Sequence, residues 1–233
     1  MGLISFGFTI KLMTSGSANT EQTKNSLREV WRKFFKGIRE VVSDYRIIIT
    51  SNMEGVQNLS MGGLEAFLPI YAVTVAGLTA FHAGTLWGAQ VVTTILAKPV
   101  MGKISDRYGR KPIIFLGMWI CAIPFASIPF TQNFYLLLFF ASVFGIGEAF
   151  VTSSSAAMVA EFCKAQHYGA AMGTFGSIFD IGHASGPILA GLLLAHLSYQ
   201  YSFLIIAIIL IFASFVFLLT VREEKVTILK GGT

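Results

Sequence analysis

Six long apolar runs separated by short polar turns constrain this chain more than any other feature: Ile47 to Val75, Ala83 to Met101, Ile113 to Phe130, Phe134 to Val159, Ala170 to Ala195 and Tyr201 to Val221. A helix needs roughly 20 residues to cross the ~30 Å hydrocarbon core of a bilayer, and each run is of that order. Together they use nearly everything after residue 46. With 54% hydrophobic residues, 12% charged residues and a mean hydropathy of +0.68, the composition excludes a water-soluble domain. Glycines recur in the runs, as suits close helix packing, and the ten-residue alternation of a membrane barrel is missing. The expected fold class is an all-α membrane protein with six transmembrane helices.

Basic residues orient those helices. Eight of the seventeen lie in residues 1–46, four follow the second run, Lys164 follows the fourth and three lie in the tail, while the alternate turns 76–82, 131–133 and 196–200 carry none. Sixteen cations thus fall on one side, and both termini are expected in the cytoplasm of a multi-pass cell-membrane protein. The net charge of +5 and the pI near 9.3 express this topology, so no nucleic-acid partner is implied. Lys98, inside the second run, reads as a lysine whose stem snorkels toward the cytoplasmic interface. Cys121 and Cys163 suggest neither a disulfide nor a metal site. No nucleotide fingerprint, metal-ligand cluster or nucleophile-base pairing appears, so neither an enzyme nor a cofactor is expected.

The first 46 residues have a different character. Met1 to Met13 is apolar but too short to span, is interrupted by Lys11, and lacks the basic start of a signal peptide. Thr14 to Thr23 is a polar linker, after which Ser26 and Glu29 make a capping-box helix start. Leu27, Val30, Trp31, Phe34, Ile38, Val41 and Val42 then recur at helical spacing, with Arg28, Arg32, Lys33, Lys36 and Arg39 over the remaining surface. Such a helix lies flat on a membrane, its cations meeting anionic lipid. The expected organisation is a cytoplasmic segment over 1–46, a six-helix bundle over 47–221 and a cytoplasmic tail over 222–233.

Between the second and third runs, Gly102 to Lys111 reads GKISDRYGRK, a charged loop too polar to lie in lipid, with two glycines that let the backbone bend. Asp106 stands among Arg107, Arg110 and Lys111. This resembles the signature loop of the major facilitator superfamily of secondary transporters, whose pattern is Gly, any, Leu, Ala, Asp, Arg, any, Gly, Arg, Lys. Gly102, Asp106, Arg107, Gly109, Arg110 and Lys111 stand at their places, and Ile104 and Ser105 replace the leucine and alanine. The resemblance implies a gating latch, with Asp106 meeting helix dipoles and Arg110 an acid at the cytoplasmic gate. In that family two six-helix halves are joined by a long cytoplasmic loop. Met1 to Met13 resembles the end of a sixth helix and Thr14 to Arg46 the central loop. The fourth run has Ala141 and Val143 ahead of Gly145 and Gly147, where N-terminal halves commonly carry an arginine. The chain therefore resembles a C-terminal half, which implies a partner: a complementary N-terminal half or a second copy.

Ionisable residues inside lipid-spanning helices usually face a cavity or a partner. Glu54, Asn58, Met61 and Glu65 fall on one face of the first run, broadened by Gln57, and mark a candidate cavity wall. Glu148 lies near the middle of the fourth run with Thr152 and Ser155 on the same face. Asp180 and His183, one turn apart in the fifth run, can share a proton, and histidine titrates in the range proton coupling needs. Plain interhelical hydrogen bonds, or carboxylates reaching the two interfaces, are the blander reading of the same residues. Gly182, Gly186, Pro187 and Gly191 lie in GHASGPILAG, similar to the family's Gly, three residues, Gly-Pro motif; they read as helix-packing positions, with Pro187 a site for a kink. The function implied is half of a secondary active transporter, coupling protons to efflux of small molecules such as drugs or metabolites by alternating access. A non-transporting membrane scaffold or assembly subunit that kept the fold is the alternative.

Overall fold

A computed structural model describes residues 38–221. Met1 to Met13, the linker, the capping box at Ser26 and the tail 222–233 lie outside the described residues, and of the expected interfacial helix only 38–43 is described, as helix. Six long helices follow: α1 (Tyr45–Thr74), α2 (Ala80–Tyr108), α3 (Arg110–Ser127), α4 (Phe134–Phe162), α5 (Tyr168–His196) and α6 (Tyr199–Thr220). There is no strand among the described residues. The stretches built on α3, α4, α5 and α6 are long and apolar enough to cross a membrane on length and composition alone. Helices α1 and α2 match them in length but carry more polar residues.

Local chemistry sets the helix starts. The Asp44 side chain accepts from the Arg46 amide, Asn133 Oδ1 accepts from the Tyr135 and Leu136 amides, and Thr79 forms a reciprocal capping box with His82. Burial works against the charged form of Asp44, yet hydrogen bonds and the charge of Arg46 outweigh it and hold the carboxyl below its usual range. The expected loop from Gly102 to Lys111 is a correction: α2 continues as helix through Tyr108 and only Gly109 breaks it, at φ 94°, before α3 begins at Arg110. Nothing in that stretch forbids helix until a positive φ is required, and Gly109 supplies it.

Successive helices run antiparallel through short turns, so the bundle has two ends. At one, Tyr71 donates to the Thr131 carbonyl at 3.1 Å and packs on Tyr199. At the other lie the signature stretch and most of the charged residues. Between the ends, α4 is central: a Cβ on Gly145 would meet the Gln90 carbonyl of α2, and one on Gly147 would meet Cys121 of α3. The aromatic core stacks Phe125 of α3 on Phe203 of α6 at 4.5 Å, with Phe144 of α4 beside it.

Helices α1 and α5 touch backbone to backbone. A Cβ on Gly182 would run into the Gly55 carbonyl, one on Gly186 into the Leu59 carbonyl, and one on Gly62 into the His183 carbonyl. Gly191 is in looser contact with Phe67, and α5 continues unbroken through Pro187, whose ring lies against Gly62. Gly182→Val should therefore push α1 from α5 and destabilise the bundle by about 1–3 kcal/mol, the usual penalty of overpacking. Gly176→Ala, with open space around it, should change little. Thermal unfolding in detergent checks the contrast.

Candidate functional site

Polar side chains from four helices, α1, α2, α4 and α5, converge midway along the bundle. Glu148 is about 21 Å along α4 at 1.5 Å per residue. Its Oε2 accepts from Gln90 Nε2 and, at 3.1 Å, from Thr94 Oγ1, both on α2. The ammonium of Lys98 acts on it electrostatically, as does the His183 imidazole when it carries a proton. Glu54 of α1 is fully buried. Its Oε2 accepts from Ser155 Oγ at 2.7 Å and its Oε1 from Asn58 Nδ2 at 3.2 Å, with Thr152 also in hydrogen-bonding reach. The α4 row that reads as one polar stripe thus serves two carboxyls: Glu148 itself turns to α2, while Thr152 and Ser155 turn to Glu54.

His183 Nε2 lies 3.2 Å from Glu65 Oε2, and both side chains are open, at 41% and 49% exposure. The carboxyl that meets the imidazole is therefore Glu65 across the α1–α5 contact. Asp180, its neighbour along α5, is exposed and has no ion-pair partner among the described residues. One helical turn places Asp180 and His183 on neighbouring parts of α5, but the glycine contact brings α1 closer to the ring.

The signature stretch forms a clamp at the charged end. Arg110 Nη2 lies 2.7 Å from Asp106 Oδ1 and 2.8 Å from Glu161 Oε1 at the end of α4. Its Nε donates to the same Glu161 oxygen at 2.9 Å, and its Nη1 donates to Ser105 Oγ at 2.8 Å. Asp106 thus meets Arg110 one turn on. Arg107 lies over the Tyr108 ring, and Lys111 follows on α3. A Cβ on Gly102 would touch nothing within 4 Å. Beside the clamp, Glu40 Oε2 lies 2.9 Å from His167 Nε2, Arg46 lies over the Phe162 ring, and a cavity of about 560 Å³ opens between the segment before α1 and the α4–α5 turn, lined in part by Cys163 and Lys164.

The family model described as Major Facilitator Superfamily matches residues 11–232. The chain belongs to the major facilitator superfamily. The multi-drug resistance efflux pump PmrA of Streptococcus pneumoniae is 25% identical over 161 residues, 68% of this chain and 40% of that protein. The class H tetracycline resistance protein of Pasteurella multocida is 28% identical over 148 residues, 62% of this chain and 37% of that protein. An auto-inhibited POT family peptide transporter superposes with a TM-score of 0.64 over 75% of this chain and 36% of its own, and at 19% identity it shows the fold alone. The chain spans about two fifths of the length of these curated relatives. Membership agrees with the expectation of a transport protein in the membrane rather than an enzyme.

Four contributors to the site escaped the sequence reading. Gln90, Thr94 and Lys98 recur every fourth residue along α2, a polar stripe facing α4 that spacing alone displays. Lys98 is not at a helix end, since α2 runs ten residues beyond it. Glu161, the acid that Arg110 holds, lies two residues past the fourth run, in the last turn of α4. Arg110→Lys keeps the charge but loses the fork that reaches two acids and a hydroxyl. Spin labels at positions 103 and 164 should then give a broadened distance distribution by electron-electron double resonance. An unchanged width would contradict the clamp.

Proposed function

We propose that residues 47–221 form one six-helix half of a secondary active transporter, the C-terminal half, with 1–46 and 222–233 on the cytoplasmic side of the cell membrane. The half works with a complementary half or a second copy, and couples proton movement to efflux of a small molecule by alternating access. The observation that carries this reading is the open polar wall: Glu65 and Asp180 are exposed and His183 is half-exposed on α1 and α5, two helices that also expose Ile70, Val73, Ile181 and Ile188. An acid at the bilayer centre costs about 2.5 kcal/mol even on insertion scales, so that wall calls for an aqueous path and a covering surface. The glycines divide in the same sense. Those at the α1–α5 and α3–α4 contacts are hemmed in, whereas Gly84, Gly88 and Gly102 of α2 and Gly169, Gly173 and Gly176 of α5 have nothing within 4 Å, leaving two flanking helices able to receive another bundle closely.

Proton coupling is assigned to the group of Glu148, Asp180 and His183, with Glu54, Asn58 and Glu65 completing the wall. The Arg110 clamp ties the α2–α3 turn to α4 and is the element a gate would have to break. The names of the relatives, a multidrug pump and a tetracycline resistance protein, support efflux as the direction. Reconstituted with its partner half, the protein should catalyse saturable uptake into inverted vesicles driven by a pH gradient. Glu148→Gln or Asp180→Asn should lower the driven rate at least about tenfold, as expected for loss of a group acting in proton transfer. Gradient-driven uptake that survives in both variants would contradict the assignment.

A further inference from the structure

Glu54 is the least explained charge-bearing group of the bundle. It is 0% exposed and has no Lys, Arg or His at ion-pair distance among the described residues. Its hydrogen-bond partners are Asn58 on its own helix and the Ser155 hydroxyl of α4, with the Thr152 hydroxyl close by. The same face of α4 carries Glu148 one turn before Thr152 and two before Ser155. Both donors to Glu148 bind its Oε2, leaving Oε1 without one among the described residues. The two carboxyls repel each other through the protein, and among the described residues Lys98 is the permanent cation whose field acts most on Glu148. Two carboxylates against one lysine leave a surplus negative charge in the interior, and a single proton removes it.

A second observation concerns buried amides near each carboxyl, Gln57 one turn from Glu54 on α1 and Gln90 donating to Glu148. Gln57 is completely buried beside the Cys121 thiol, with neither Nε2 nor Oε1 partnered, and the Oε1 of Gln90, also completely buried, is unpartnered as well. Orphaned amide atoms at zero exposure are what lodged water satisfies. The titratable groups that face this region are Glu148 of α4, Cys121 of α3, Lys98 of α2 and His183 of α5, the last engaged with Glu65.

We propose that Glu54 and Glu148 share one transferable proton along the α4 hydroxyl row of Thr152 and Ser155, so that Glu54 is the inner proton site and Glu148 the outer one. In the transfer, Glu148 releases its proton to the hydroxyl and water chain while Ser155, already donating to Glu54 Oε2 at 2.7 Å, passes its own across. Each hydroxyl gains one proton as it loses one. Glu148 ends as carboxylate and Glu54 as carboxylic acid, with no net change elsewhere. The use of this relay in transport rests on the proton-coupled reading above; its existence does not.

Infrared spectroscopy of the full chain in lipid nanodiscs tests it without any transport. The wild type should show one buried carboxylic-acid C=O band at neutral pH. Both Glu54→Gln and Glu148→Gln should abolish the band, because the acid left behind then balances Lys98 as a carboxylate. Ser155→Ala should keep the band but slow its hydrogen-deuterium exchange at least tenfold. A band left at full amplitude by either Gln variant overturns the sharing, and unchanged exchange in Ser155→Ala overturns the hydroxyl route. Ser155→Ala leaves both acids in place, so it keeps the test open if Glu54→Gln fails to fold. A normal band in a protein that does not transport would count against the transport reading alone.

Discussion

Helix α4 has to pack against α1, α2 and α3 at once, and the rest of the bundle follows from how it does so. Its glycines remove side chains where neighbours press closest: Gly145 admits the α2 backbone and Gly147 admits Cys121 of α3. Its polar residues stand between those contacts, so Glu148 reaches Gln90 and Thr94 on one side and Ser155 reaches Glu54 on the other. In lipid there is little hydrophobic force between helices, and close backbone approach with interhelical hydrogen bonds has to supply the specificity. Small residues and carboxyls therefore share one helix.

The α1–α5 contact plays the complementary part. Gly55, Gly62, Gly182 and Gly186 bring two backbones into direct contact, and that proximity places Glu65 against His183. A larger residue at any of these glycines would separate the pair as surely as mutating it. Packing and chemistry are thus coupled: the helices that define the wall are held by contacts next to its ionisable groups. At the charged end, Arg110 performs a similar task with charge instead of shape, gathering Asp106, Ser105 and Glu161 around one guanidinium.

Much of this was legible in the sequence because lipid imposes a simple rule on it. The six apolar runs coincide with six helices to within a few residues at most ends, since a helix in lipid starts where a cap or turn residue stands and stops where one recurs. The end of α2 is the exception. Charge there suggests a loop, but polar residues continue a helix in water as readily as apolar ones, and Gly109, at φ 94°, has the geometry to stop it. Among the site residues, spacing along one helix displayed polar stripes but not their partners. The neighbourhood of His183 depends on α1, and the split of the α4 row between two carboxyls depends on the relative rotation of α1 and α2. The stripe of Gln90, Thr94 and Lys98 was visible but resembled ordinary polar filler until Glu148 was seen to face it.

The central claim is that this bundle presents an unfinished wall that another bundle completes. The most direct test is the mass of the complex gently extracted from native membranes, read by native mass spectrometry. The account predicts a species of about twice the 25.4 kDa chain mass, or larger, dissociating only as detergent strips the helices apart. A chain that leaves the membrane as a monomer, and catalyses saturable uptake alone once reconstituted, would contradict it.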